Sequence, residues 1–576
     1  MSDNKRILNK LNEVQKKICM SEKNIILTAC PGSGKTRTIT HRLAYISDKY
    51  KGSKLLNIAI TYTNRAANEI ENRIENMGID TFNIWTGTIH QFCMNFIIRP
   101  YAMYHNKLSK GYKIIDEYIK STYYKQIAKE LGIEYIRIED IYDLENVQQE
   151  YKSKLNQNKE IDFDMILQYS LELLCLNEFI AENISYIIRS IHVDEYQDTN
   201  ENQYLILSKI IKANLNINIL FVGDINQSIY GNLGGIAKNI DEIKKLFPVA
   251  FEEITLSECY RSTQRLVDYY SNYEVMKTNA YSVAQHKEKK GTIKYNNSIT
   301  TDELHIKISE IIAKSINAGI KEHEICIVAP QWYLIYSIAN KLKTLMPNNN
   351  FDAPDISPFK YDPMNPFYLI TKLLFTKDSK FFSLRRKEAN EILNIFKEDY
   401  KLYISNSINK LDILKVINSI KIFNSDAIRT VEITIDEILK LLNVDKEPQI
   451  LENFVKFMEK TKERFEKNSL SNNYIDIEKS FKEKTGIVIS TIHGVKGEEY
   501  NTIISYGILN GYLPHWDYII NKDKSTRIRE TKKMLYVLTS RAKENIYLFS
   551  ETGRKTKNGK DYIPTDELRN LMYSYD

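Results

Sequence analysis

Three short stretches carry residues whose types and spacing suit phosphate chemistry. Ala29, Cys30, Pro31, Gly32, Ser33, Gly34, Lys35, Thr36 and Arg37 follow the apolar run from Asn24 and open a helical stretch at Lys35. Glycines 32 and 34 let backbone N–H groups close around a β-phosphate. Lys35 would hold the β- and γ-phosphates and the Thr36 hydroxyl would bind Mg²⁺, the Walker A layout with alanine in place of its first glycine. A second apolar run, Ile188–Val193, leads into Asp194-Glu195-Tyr196-Gln197-Asp198. Paired carboxylates at a strand end suit a Walker B role, with Asp194 on the Mg²⁺ shell and Glu195 orienting or deprotonating the attacking water. A third run, Ile217–Val222, ends in Gly223-Asp224 and places Gln227 where it would sense the γ-phosphate or that water. ATP and Mg²⁺ are the implied cofactors.

These residues need strand ends beside helix starts, and the chain supplies that alternation. Strand-like runs at Asn24–Ala29, Leu56–Tyr62, Ile188–Val193, Ile217–Val222, Glu324–Val328, Gly486–Ser490 and Thr502–Tyr506 alternate with helical spacing, which predicts parallel α/β sheets. Two stretches differ in character. Residues 101–180 and 366–480 are charged and helical, as in Ile161–Leu174 and Leu451–Lys460, and read as insertions into two α/β cores. The cores are expected at 1–100 with 181–285 and at 286–365 with 481–576. The Pro/Asn-rich stretch Pro347–Pro366 reads as the loop entering the second insertion, and about 270–300 as a linker between cores.

Length and composition set wider bounds. With 576 residues, 43% of them hydrophobic and 27% charged, the chain reads as several globular domains, neither disordered nor fibrous. A net charge of +6 is a faint bias towards polyanions. Six cysteines without a CxxC pair argue against a zinc ribbon or a disulfide framework and for reduced thiols in the cytosol. The polar start is no secretory signal, no apolar run is long enough to span a bilayer, and a cytoplasmic location is expected.

The three phosphate segments, in this order, resemble the UvrD/Rep/PcrA branch of superfamily 1 helicases. Five further blocks carry the same resemblance. Leu11-Asn12-Glu13-Val14-Gln15 is similar to the Q-motif, whose glutamine reads adenine. Tyr62-Thr63-Asn64 and Thr88-Ile89-His90-Gln91-Phe92 resemble the DNA-facing motifs of the first core. Cys259-Tyr260-Arg261 resembles the segment whose tyrosine stacks on adenine and whose arginine meets the γ-phosphate. Thr491-Ile492-His493 through Glu499 resembles a second-core motif that touches DNA and, through Glu499, the ribose. Tyr536–Arg541 resembles the last motif, whose arginine acts as a finger across the cleft between cores. The resemblance implies two RecA-like parallel-sheet cores with helical insertions, ATP hydrolysis at their cleft, and 3′→5′ movement on single-stranded or tailed DNA. The implied DNA-facing set is Tyr62, Thr63, Asn64, Thr88, His90, Phe92, Tyr230, Thr491 and His493.

Two departures fall on the DNA-coupling side. After Tyr230-Gly231 the family has Trp-Arg-Gly, whereas this chain has Asn232-Leu233-Gly234, so an aromatic grip is lost. After the run Ile325–Ala329, where relatives carry Tyr-Arg, this chain has Pro330-Gln331. The second insertion is also short, and too few residues follow Arg541 for a nuclease domain. A second reading therefore stays open: a DNA-sensing ATPase that regulates a partner nuclease. That narrower resemblance is to the helicase-like half of Gabija-type anti-phage systems and implies an OLD-type nuclease subunit as partner. A housekeeping repair helicase is the third reading.

Overall fold

Runs rich in isoleucine and valine, each closed by a turn, build two six-stranded parallel sheets in the computed structural model. It describes residues 7–352, 359, 362 and 364–576 apart from 116, 136–137, 231–237, 378–381, 468–470, 482–485 and 557. The first sheet holds β1 (Asn24–Ala29), β2 (Leu56–Thr61), β3 (Ile84–Thr88), β4 (Ile188–Asp194), β5 (Asn218–Gly223) and β6 (Phe251–Leu256), in spatial order β3-β2-β4-β5-β1-β6. The second holds β7 (Thr292–Asn296), β8 (Ile325–Ala329), β9 (Phe351–Asp352), β10 (Ile487–Thr491), β11 (Tyr500–Ser505) and β12 (Ala542–Phe549), in order β7-β12-β11-β8-β10-β9. Strands such as β8 and β10 are buried along their whole length, as parallel strands covered on both faces must be.

The register brings the chemistry together. Thr28 lies opposite Gly223 and Asp194 opposite Val222. The carboxyl ends of β1, β4 and β5 therefore open side by side, where open α/β sheets hold ligands. Five helices frame the sites: α1 (Glu13–Met20), α2 (Lys35–Lys49), α3 (Asn64–Asn76), α4 (Trp332–Leu345) and α5 (Lys524–Thr539). Helix α1 starts on a capping box in which Asn12 and Gln15 bond each other's backbone N–H, satisfying donors that a helix start leaves unpaired.

The two helical stretches are built differently. One apolar core runs without a break from Ile58 and Ile191 of the first sheet to Tyr124, Tyr151 and Ile166. The second stretch folds around its own core, including Ile370, Phe396, Ile435 and Ile438. It is tied to the first half of the chain by Arg99, which bonds Asp399 at 2.8 Å and Glu391 at 2.9 Å, and by Lys387, which bonds Glu71 and the Thr86 carbonyl at 2.8 Å each.

The stretch expected as a linker between the cores is packed against its neighbours. Tyr281–Ser282 pairs with Glu258–Cys259, and the Gln264 N–H donates to the Lys287 carbonyl at 3.0 Å. Much of Pro347–Pro366, and Asn232-Leu233-Gly234, lie outside the described residues. The six cysteines are free, and no described helix is long and apolar enough to cross a membrane.

Candidate nucleotide site and nucleic-acid face

The loop between β1 and α2 is shaped by two glycines with positive φ, 73° at Gly32 and 82° at Gly34. A Cβ on Gly32 would lie 2.5 Å from the Arg261 Cβ, so only glycine fits against that neighbour. Ser33 Oγ donates to the Cys30 carbonyl at 2.7 Å, and the Cys30 N–H bonds Leu256 of β6 at 3.0 Å. Pro31 is buried, Ala29 closes β1, and Arg37 donates to the Lys10 carbonyl. This cradle fits a nucleotide's phosphates: it is open backbone at a helix start, where the dipole favours anions.

Lys35 lies between acids. Its Nζ is 2.9 Å from Glu195 Oε1. Burial works against its charge, but Glu195, Asp224 and Asp194 outweigh that and raise its pKa. Burial and the charge of Glu195 push the Asp194 carboxyl up, while Lys35 and Lys496 hold Glu195 down against its own burial. Glu195 sits at φ 52° with its N–H bonded to Asp194 Oδ1 at 3.0 Å. A glutamate in that left-handed region is uncommon, and this backbone turns the two adjacent carboxylates to different neighbours. The Thr36 hydroxyl and Asp194 are the groups that would hold Mg²⁺. Among the described residues no cluster of three or more His, Cys, Asp or Glu is arranged to hold a metal ion.

A chain of polar contacts runs on from this pair. Gln197 donates to Glu195 and accepts from the Asp224 N–H at 3.0 Å. Asp224 Oδ2 accepts from Gln227 Nε2 at 2.7 Å, and Gln227 Oε1 accepts from Arg541 Nη2 at 2.9 Å. Arg541, 2% exposed, is held from its own side by the Val537 carbonyl at 3.1 Å. Burial and nearby Arg261 bring its pKa down to about 10, so it stays charged at neutral pH. Lys496 makes a second bridge, pairing with Asp198 and donating to the Gln227 carbonyl at 2.6 Å.

Gln15 and Tyr260, the residues expected to meet adenine, lie on either side of Asn12. Gln15 is buried and spends its amide on the Ser33 carbonyl at 3.0 Å and the Asn12 N–H at 3.1 Å. Tyr260 is 41% exposed, and Asn12 and Tyr260 both donate to Glu258. Arg261 bonds Glu499 at 2.8 Å and the Ser540 carbonyl at 3.0 Å, with Lys543 3.2 Å from Glu499. Those cations hold the Glu499 carboxyl low against burial. The sequence motifs single out neither Glu258 nor the site roles of Gln197, Asp198, Asp224 and Lys496. Each of the last four lies inside a family-like segment, and a polar side chain beside an assigned residue is the signal that points to it.

On the nucleic-acid side, Tyr62 and Tyr230 stack with ring centroids 4.8 Å apart. Tyr230 reaches the second half of the chain, donating to the His493 carbonyl at 3.3 Å under the Lys496 ammonium. A cavity of about 320 Å³ joins Tyr62, Thr88 and His90 to Asp194 and Glu195. Thr63 caps α3, with Asn64 as its first residue, and Thr88 caps the next short helix. Thr491 is buried and accepts from the Gly494 N–H at 3.1 Å. Burial lowers the pKa of His90 to about 4, and burial also lowers that of His493. Phe92 is corrected: it is 0% exposed and packs against Trp85 and Phe96, leaving no face for a base.

Comparison with known proteins accords with this arrangement. The model of the UvrD/REP helicase N-terminal domain matches residues 11–139 and 135–248, and that of the UvrD-like helicase C-terminal domain matches 433–552. The ATP-dependent DNA helicase PcrA of Staphylococcus epidermidis is 26% identical over 96% of this chain and 84% of its own length. PcrA of Staphylococcus aureus is 25% identical over 95% of this chain and 84% of its own. With both family domains matched in order and both sheets present, the chain belongs to the UvrD/REP helicase family.

Proposed function

We propose that the protein is an ATP-dependent DNA translocase and helicase that hydrolyses ATP between its two parallel-sheet cores and moves 3′→5′ on single-stranded DNA. In this reading residues 1–100 with 181–285 and 286–365 with 481–576 are the cores, and 101–180 and 366–480 their insertions. The observation that carries it is the polar chain from Lys35 through Glu195, Gln197, Asp224 and Gln227 to Arg541.

Lys35 and Arg261 would bind the phosphates, Glu195 would accept a proton from the attacking water, and Arg541 would stabilise charge on the γ-phosphate as it departs. Bound Mg²⁺ supplies further charge neutralisation. An arginine from the second core would make turnover depend on cleft closure, and Gln227, which touches both Asp224 and Arg541, would transmit that closure. The Tyr62–Tyr230 stack and its link to His493 put the base-facing residues on the same two halves, so closure and DNA grip would change together.

ATP turnover measured with and without single-stranded DNA, with strand separation on 3′- and 5′-tailed duplexes, tests the reading. Absence of DNA stimulation, or unwinding from the 5′ tail alone, would sink it. The lack of an arginine after β8, where the family carries Tyr-Arg and this chain has Pro330-Gln331, favours a second reading, a DNA-state sensor regulating a nuclease subunit. DNA-stimulated turnover without strand separation would support it.

A further inference from the structure

We propose that a cavity between the two helical stretches binds a free nucleotide, its base against a wall of rings and its phosphates along a row of cations. The cavity shares no lining residue with the β1–α2 loop and is a second site, beyond the proposed motor.

The cavity, of about 460 Å³, is walled by Phe163 from the first stretch and by Phe367, Tyr400 and Phe457 from the second, a size in the range of small-ligand sites. Phe367 and Phe457 pack with ring centroids 5.8 Å apart, and the Phe367 N–H donates to Asn365 Oδ1 at 2.9 Å. In the first stretch Lys113 precedes Ile114, which pairs with Ile161, two residues before Phe163. Lys113 Nζ donates to Asn453 Oδ1 at 2.9 Å, and Asn453 Nδ2 donates to the Tyr400 hydroxyl at 3.2 Å. This bridge joins the two stretches within the wall itself, which suits a compact ligand rather than a strand threaded through.

Most of the cations come from one helix, Pro448–Lys467. Lys456, Lys460 and Arg464 line the cavity at four-residue spacing, which stacks them along one helix face roughly 6 Å apart. Lys113 lines it from the other stretch, and Asp362 and Glu463 are the acids of the lining. Close by, Glu452 meets Lys456 at 2.5 Å and Glu160 is 3.7 Å from Lys113. Cations outnumber acids in the wall, and they crowd one another. Burial lowers the pKa of Lys113 against the pull of Glu160, and Lys456 lowers it further. A phosphate among these groups would relieve that repulsion.

Rings and cations together select the occupant. Inorganic phosphate would leave the rings unused, and an aliphatic chain would make no use of the cations. A planar base carrying phosphates uses both. Phe163 also lines the cavity that holds Tyr62, Thr88 and His90, and its ring meets His90 edge-on with centroids 5.7 Å apart. A base held against Phe163 would therefore fix the ring on which His90 packs.

The test counts bound nucleotide by equilibrium dialysis of radiolabelled ADP. It compares wild type, Lys35→Ala, Lys456→Gln and the double variant Lys460→Gln with Arg464→Gln. Wild type should hold two ADP per chain. Lys35→Ala should weaken the loop site alone. Each pocket variant should weaken the second site alone, by about 10-fold or more, the usual effect of losing a hydrogen bond to a charged group. Lys456 is 51% exposed, and an unchanged melting temperature of Lys456→Gln without nucleotide separates lost binding from lost folding. A single ADP in wild type, or two ADP held with wild-type affinity in both pocket variants, overturns the proposal. Displacement of the second ADP by single-stranded DNA, with the loop site still filled, assigns the cavity to a strand and overturns it as well.

Discussion

Arg541, in the turn between α5 and β12, donates to the side-chain carbonyl of Gln227, which follows β5 of the first sheet, at 2.9 Å. An arginine finger is worth about 10³- to 10⁵-fold in turnover. Arg541→Ala should therefore lower kcat by about 10³-fold while nucleotide affinity changes by no more than about threefold. Equilibrium binding of a fluorescent ATP analogue beside a turnover assay checks this. Comparable losses in both would assign Arg541 to ground-state binding.

Lys35 should behave differently because, in the proposed mechanism, it would face phosphate both before and during hydrolysis. Lys35→Ala should reduce turnover by about 10³-fold or more, since phosphate positioning and charge stabilisation are lost together. A Lys35→Ala enzyme that turns over ATP at the normal rate would remove the site from the β1–α2 loop.

Burial raises Asp224 to about 6 with Lys35 opposing, and Asp198 to about 6 with Lys496 opposing. The unfolded chain titrates such groups near pH ~4. Between roughly pH 4 and 6 the folded protein keeps protons the unfolded chain has lost, so these groups' contribution to stability falls as pH rises through that window. Turnover should run the other way. Ionised Asp224 accepts from Gln227, so kcat should decline on the acid side with a midpoint near the Asp224 pKa of about 6. Rates measured from acid to neutral pH, with Asp224→Asn showing a shallower acid limb, test it.

Lys496 and Asp198 are 7% and 1% exposed and pair across the two halves. Removing one partner of a buried pair costs about 3–5 kcal/mol, whereas replacing both by neutral groups often costs little. Lys496→Met and Asp198→Asn should each lower thermal stability, and the double variant should regain much of it. Additive losses in a double-mutant cycle would mean that the two do not act as a pair.

Phe92→Ala should destabilise the fold by about 3–5 kcal/mol, the usual cost of emptying a buried aromatic site. Phe92→Leu should keep both folding and DNA affinity. Selective loss of DNA binding in Phe92→Leu, with an unchanged melting temperature, would restore its DNA-facing assignment.

The residues proposed to face phosphate are legible in the sequence because each lies in an unbroken segment in which a strand and a turn follow one another. β1 runs from Asn24 to Ala29 as its apolar pattern predicts, and β4, β5, β8, β10 and β11 lie within two residues of their predicted bounds. β6 and β12 are hidden because Glu252, Glu253, Lys543 and Glu544 break their apolar pattern. Phe92 shows a different limit. A motif records that an aromatic is present, while the rings of Trp85 and Phe96 decide which way it points. The Lys496–Asp198 bridge joins segments far apart in the chain, and no local pattern announces it.

The second helical stretch has an apolar interior of its own, whereas the first shares one with its sheet. Evolution can therefore resize, exchange or reorient residues 366–480 by altering a few anchoring contacts such as Arg99–Asp399. The same freedom applied to residues 101–180 would empty the floor beneath the catalytic strands. Diversity among relatives of this chain should gather in 366–480 and be scarce in 101–180.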